Sequence, residues 1–228
     1  MRRALIVIDP QNEYFDGNLP IEYPPTPSSL SNLLRAMDAA HAANVPLLVV
    51  QHTASVGAPI FDKGSHGWHL HPSVAARPHD LRMEKRFPSL FTGTPFADWI
   101  GAQRVDILSL AGYMTHNCIA ATAFEAMHRG LAVEFLADAA GALPYVNEAG
   151  SATAEEVHRV TSVVLHTNFA AVTTTDAWTE AVRTGRAITR DSVYASNRRA
   201  REFAGNGART AGTRRHAETR QFSYETFI

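Results

Sequence analysis

Short unbroken apolar runs alternate along this chain with longer stretches in which apolar residues recur every three or four positions. The runs Ala4 to Ile8, Val45 to Val50, Val105 to Ala111, Ala132 to Leu136 and Ala170 to Thr174 predict strands, and the most apolar of them read as covered on both faces. Residues 82–87 predict a further short strand ending in a basic cluster. The stretches between predict helices. One starts at Ser28 or Ser29, runs to Asn44, and buries Leu30, Leu33, Leu34 and Met37. A second starts at Thr94, as cap, with Pro95 at its first position and Trp99 and Ile100 on its apolar face. A third carries Ile119, Ala120, Ala123, Phe124 and Met127, and stops at Gly130. A fourth begins at Asn147 or Ser151, with Ala154, Val157, His158 and Leu165 among its inner positions. The last is capped by Asp176 and holds Trp178, Ala181 and Val182. Strands alternating with helices predict an α/β fold: a three-layer, doubly wound, mostly parallel sheet with helices on both faces.

Two regions break the alternation. Residues 53–80 are rich in glycine and proline and predict a long loop, the kind that carries function in a compact domain. Residues 190–228 hold eight arginines, four acidic residues and few aliphatics. This divides the chain into a domain at 1–189 and an arginine-rich C-terminal extension at 190–228. The extension cannot build a core of its own, so it is expected to pack on a neighbouring subunit of a homo-oligomer. The acidic residues that interrupt it argue against nucleic-acid binding.

Composition narrows the class. The 228 residues are 45% hydrophobic with a formal net charge of −1, which gives no pull toward nucleic acid or an anionic membrane. A single cysteine forbids an internal disulfide and fits a cytoplasmic protein. The basic and then apolar N-terminus is too short for a secretory signal and ends in Asp9, and no segment reaches membrane-spanning length.

That cysteine is the chemical focus. Cys118 lies where the strand ending at Ala111 turns into a helix, in a first turn whose free N–H groups and dipole favour a thiolate. The alternative is a small buried side chain that only packs. Asp9 ends the first strand, where α/β sheets place ligand chemistry, or else fixes the turn through local hydrogen bonds. Lys85 sits in a mid-chain segment. His52, His66, His69 and His71 raise the question of a metal.

Three motifs in order, Ile-Asp-Pro-Gln-Asn-Glu-Tyr-Phe at 8–15, Glu-Lys-Arg-Phe-Pro-Ser-Leu-Phe-Thr-Gly-Thr at 84–94 and Gly-Tyr-Met-Thr-His-Asn-Cys-Ile-Ala-Ala-Thr-Ala at 112–123, resemble those of the isochorismatase-like cysteine hydrolases. The resemblance spans residues 4–180. It implies a triad of Asp9, Lys85 and Cys118, a cis peptide at Tyr113–Met114, and an oxyanion hole from the backbone N–H groups of Met114 and Cys118. It implies attack of Cys118 on a small amide or carbamoyl substrate through a thioester, with no cofactor. Gln11, Phe15, Trp68, Phe87 and His116 are candidates to line the substrate pocket. Nicotinamidases of this superfamily carry an Asp-x-His metal pair after the second strand. Here the positions are Val50-Gln51-His52, so no metal is expected. The rival readings are vinyl-ether hydrolysis of an isochorismate-type substrate and a non-catalytic binding or assembly subunit.

Overall fold

The computed structural model describes residues 1–211. Six parallel strands form the central sheet in the order β3-β2-β1-β4-β5-β8. They are β1 (Arg3–Ile8), β2 (Leu47–His52), β3 (Leu81–Lys85), β4 (Ile107–Tyr113), β5 (Ala132–Gly141) and β8 (Ala171–Thr173). A separate antiparallel hairpin pairs β6 (Tyr145–Asn147) with β7 (Gly150–Ala152). The helices are α1 (Thr26–Ala42), α2 (Pro72–Ala75), α3 (Phe96–Ala102), α4 (Ala120–His128), α5 (Ala154–Asn168), α6 (Thr175–Thr184) and α7 (Val193–Ala211). The chain divides into a body of residues 1–191 and a second unit that begins at Ser192. Of the extension, α7 is described, and residues 212–228 lie outside the described residues. No helix among the described residues is long and apolar enough to cross a membrane.

The pleat of β1 explains why the whole run is apolar. Leu5 and Val7 enter one core layer with Leu33, Ala36, Met37 and Ala40 of α1 and Trp178 of α6. Ile6 and Ile8 enter the other, with Phe96 and Ile100 of α3, Ala123 and Ala126 of α4 and Leu165 of α5. Each of these large aliphatic side chains, fully buried, contributes about 1.5–3 kcal/mol. One charged cluster is buried beside them. Glu134 of β5 takes Arg3 Nη2 at 2.8 Å, Ser109 Oγ at 2.8 Å and Trp178 Nε1 at 3.1 Å. These donors satisfy the carboxylate and tie α6 to the sheet.

Several boundaries differ from those the pattern predicts. Helix α1 starts at Thr26, behind the Pro24-Pro25 turn, and Ser28 and Ser29 lie inside its first turn. Thr174, not Asp176, caps α6, its hydroxyl accepting from the N–H of Ala177. Helix α5 starts at Ala154, where Thr153 and Glu156 close a reciprocal capping box. Asn147 and Ser151, the expected starts of that helix, lie in the β6–β7 hairpin instead. Strand β5 also runs five residues further than Leu136, because small residues 137–141 lie against the end of β4 after a register shift between Leu110 and Gly112.

Candidate active site

Parallel pairing carries Asp9, His52, Lys85 and the segment after Tyr113 to one edge of the sheet. Ile8 pairs with Val50 on β2 and Gly112 on β4, so Asp9 emerges between them. His52 pairs with Lys85 across β2 and β3. Asp9 has a φ of 49°, a left-handed conformation that Asp tolerates, and its N–H bonds the Val50 carbonyl at 3.0 Å. At Gly112 the φ is 105°, and an added Cβ would fall 2.1 Å from the Ile8 carbonyl oxygen. Only glycine lets β4 pass this close to β1 immediately before Asp9. The Tyr113–Met114 peptide bond is cis. A π-helical turn, Thr115–Ile119, then carries Cys118 into α4. Thr115 anchors that turn, donating to the Gly141 carbonyl and bonding His158 Nδ1 at 2.8 Å.

Three side chains meet there. Lys85 Nζ lies 2.7 Å from Asp9 Oδ2 and 3.1 Å from Cys118 Sγ. Both members of the ion pair have side chains 0% exposed. The Lys85–Asp9 contact falls outside hydrogen-bond angles, and neither Asp9 oxygen accepts a hydrogen bond among the described residues. The carboxylate is therefore compensated in charge and open in hydrogen bonding.

Electrostatics set the resting forms. Burial opposes the charge on Lys85, but Asp9 and Cys118 outweigh it and raise the ammonium above its ordinary value. Burial, helped by the Asp9 charge and opposed by Lys85, pushes the Cys118 thiol up to about 12. The resting side chain is a thiol, not the thiolate that a helix first turn suggests from sequence. Burial also raises the Tyr14 phenol well above its usual range, with Cys118 and Asp9 adding to the effect.

The other expected site residues do not all converge. Gln11 is buried and spent on backbone: Nε2 donates to the His52 and Trp68 carbonyls, and Oε1 accepts from the His52 N–H. With both ends of its amide engaged, it braces β2 against the turn after β1. Trp68 is 9% exposed and its indole N–H donates to Thr53. Its polar atom is occupied too. Phe87 is 54% exposed, just beyond β3, beside a cavity of about 150 Å³ that it lines with Lys85 and Arg86. Phe15 packs edge-on against Tyr113 at 5.6 Å. His116 bonds the Tyr145 hydroxyl at 2.7 Å through Nε2, while its Nδ1 is buried without a partner among the described residues. Tyr145 belongs to the unpredicted hairpin and also reaches Met114 Sδ at 3.8 Å. Among the described residues no group of three or more His, Cys, Asp or Glu side chains could hold a metal ion.

Comparison with known proteins places this arrangement. The isochorismatase domain matches residues 3–177. This chain belongs to the isochorismatase family. It is a hydrolase of that family by descent, with the α/β fold its relatives share. A crystal structure of a putative isochorismatase from Burkholderia xenovorans LB400 superposes with a TM-score of 0.88 at 56% identity, covering 90% of this chain and 98% of that one. The uncharacterized isochorismatase family protein YddQ of Bacillus subtilis is 29% identical over 180 residues, 78% of this chain and 99% of its own length. Streptothricin hydrolase of Streptomyces noursei is 29% identical over 130 residues, 56% of this chain and half of its own.

Proposed function

We propose that this isochorismatase-family member is a metal-independent cysteine hydrolase that cleaves a small amide or carbamoyl C–N bond through a Cys118 thioester. The observation that carries the reading is the buried contact of Lys85 with both Asp9 and Cys118. A thiol whose ionisation is pushed up to about 12 cannot attack as it stands. It needs a base that takes its proton as the S–C bond forms. Asp9 is that base, its oxygens free to accept.

The steps balance as follows. Asp9 takes the Cys118 proton as Sγ adds to the carbonyl carbon. The new oxyanion is held by the backbone N–H groups of Met114 and Cys118. Collapse breaks the C–N bond, and Asp9 returns the proton to the leaving nitrogen. Water then adds to the thioester with Asp9 again as base, the C–S bond breaks, and Sγ regains a proton. Lys85 stays cationic throughout and stabilises whichever neighbour is anionic. Phe15 and His116 contribute to the pocket wall, and the protein works as a homo-oligomer.

The test is ammonia or amine release from a panel of small amides, ureas and carbamoyl compounds by wild type, Cys118→Ala and Asp9→Asn, with and without a chelator. Turnover by wild type alone, insensitive to chelator, is expected. Turnover retained in Cys118→Ala would exclude covalent catalysis through the thiol. Silence of all three proteins across the panel would favour a binding subunit.

A further inference from the structure

A lysine ammonium has three N–H donors, and Lys85 Nζ is in ionic contact with Asp9 and hydrogen-bonds Cys118. His52 Nδ1 lies 3.4 Å from the same Nζ, within reach of a third N–H. We propose that His52 is a positioning residue of this site, its neutral ring accepting the third Lys85 N–H and so holding the ammonium between Asp9 and Cys118. The inference rests on the reading of those three residues as the reacting unit.

The ring is held for that purpose from several sides. Gln11 bonds the backbone of His52 at both its N–H, 2.8 Å, and its carbonyl, 2.9 Å. Strand pairing sets His52 opposite Lys85, and Phe61 lies edge-on to the imidazole at 5.3 Å. This also gives the buried Gln11 amide a purpose: it fixes the residue that fixes the lysine.

The tautomer follows from donor counting. Lys85 has only protons to give, so Nδ1 accepts and the imidazole proton sits on Nε2. The charged groups acting on His52 are Asp9 on β1, which favours its cation, and Lys85 on β3, which opposes it. Burial is the largest influence, and the net direction is down from the ordinary histidine value. Protonation would remove the acceptor and set a second cation against Lys85, so the site loses its arrangement as pH falls.

Two measurements test this. Two-bond ¹H–¹⁵N spectra of the wild-type protein, with His52 assigned through His52→Asn, report tautomer and titration without any substrate. The expected result is the Nε2–H tautomer with a midpoint below about 6.5. The Nδ1–H tautomer, or a midpoint at or above that value, overturns the proposal. The second compares pH profiles of kcat/KM for wild type, His52→Leu and His52→Asn. His52→Leu should lose about tenfold or more, the scale of a hydrogen bond to a charged group. His52→Asn, which keeps an acceptor near the Nδ1 position, should recover most of that loss. Its acid limb should lack the step that protonation of His52 adds to the wild-type profile. Equal losses in both variants with an unchanged acid limb would reduce His52 to a packing residue and overturn the proposal. If no amide is turned over, the amidase reading fails while the spectra still decide the role of His52.

Discussion

Replacing Lys85 with methionine removes one charge and little volume, so it isolates the buried ion pair. Asp9 is left fully buried with no cation beside it. Removing one member of such a pair costs about 3–5 kcal/mol, mostly the penalty of the orphaned charge. Against a total stability of about 5–15 kcal/mol this is a large fraction. In a domain of this size it corresponds to a fall in Tm of about 6–20 °C. Asp9→Asn should cost a comparable amount, since it strands the ammonium. The double variant should cost much less than the sum, with a coupling of at least about 2 kcal/mol, because neither charge remains to be stranded. Urea unfolding followed by the fluorescence of Trp68, Trp99 and Trp178, with equal m-values across the four proteins, supplies the free energies. A Lys85→Met protein within about 1 kcal/mol of wild type, or strictly additive losses, would refute the reasoning: the pair would then be solvated in solution.

The Cys118 thiol, held up to about 12, should react slowly with iodoacetamide at pH 8, and the rate should climb with pH without levelling off below pH 11. A plateau near pH 8 would mean a preformed thiolate. Gly112→Ala should cost roughly 3 kcal/mol or more, or abolish folding, because its Cβ would overlap the Ile8 backbone at a φ of 105°; a Tm within a few degrees of wild type would contradict the close approach of β4 to β1. His158, buried and lowered to about 4 by burial and by the nearby His116, contributes stability that is present above pH 6.5 and lost as pH falls through 4. Discounted for its partial solvation, that loss is about 2–3 kcal/mol, and His158→Gln should flatten the pH dependence of the urea midpoint over that window. An unchanged slope would show that the ring titrates normally. Light scattering should find a homo-oligomer whose subunit count falls when residues 190–228 are deleted; a monomer at the outset would dismiss that role for the extension.

Much of this architecture is legible in the apolar runs, since a strand covered on both faces is largely apolar, as Ala4 to Ile8 and Leu47 to Val50 are. Asp9, Lys85 and Cys118 are legible as a set only through three motifs in order, because pattern alone does not tell which strand ends are neighbours. What is hard to read has particular causes. Residues 137–141 of β5 are small and lack the branched side chains that signal a strand. Asn147 pairs with Gly150 across the β6–β7 turn, but the same polar residues serve equally as helix-start signals. Gln11 carries a side chain suited to a ligand, and only the fold reveals that the backbone of β2 uses it. His52 stands out in sequence as an incomplete metal site, whereas its distance to Lys85 depends on the register of β2 against β3.

The most direct test of the central claim is the intact mass of wild-type protein quenched in acid during turnover of a productive small amide, followed by peptide mapping. The account predicts a fraction of the chain heavier by the acyl group, mapped to Cys118 and absent in Cys118→Ala. Steady turnover with no adduct in the wild type, together with undiminished turnover in Cys118→Ala, would contradict it.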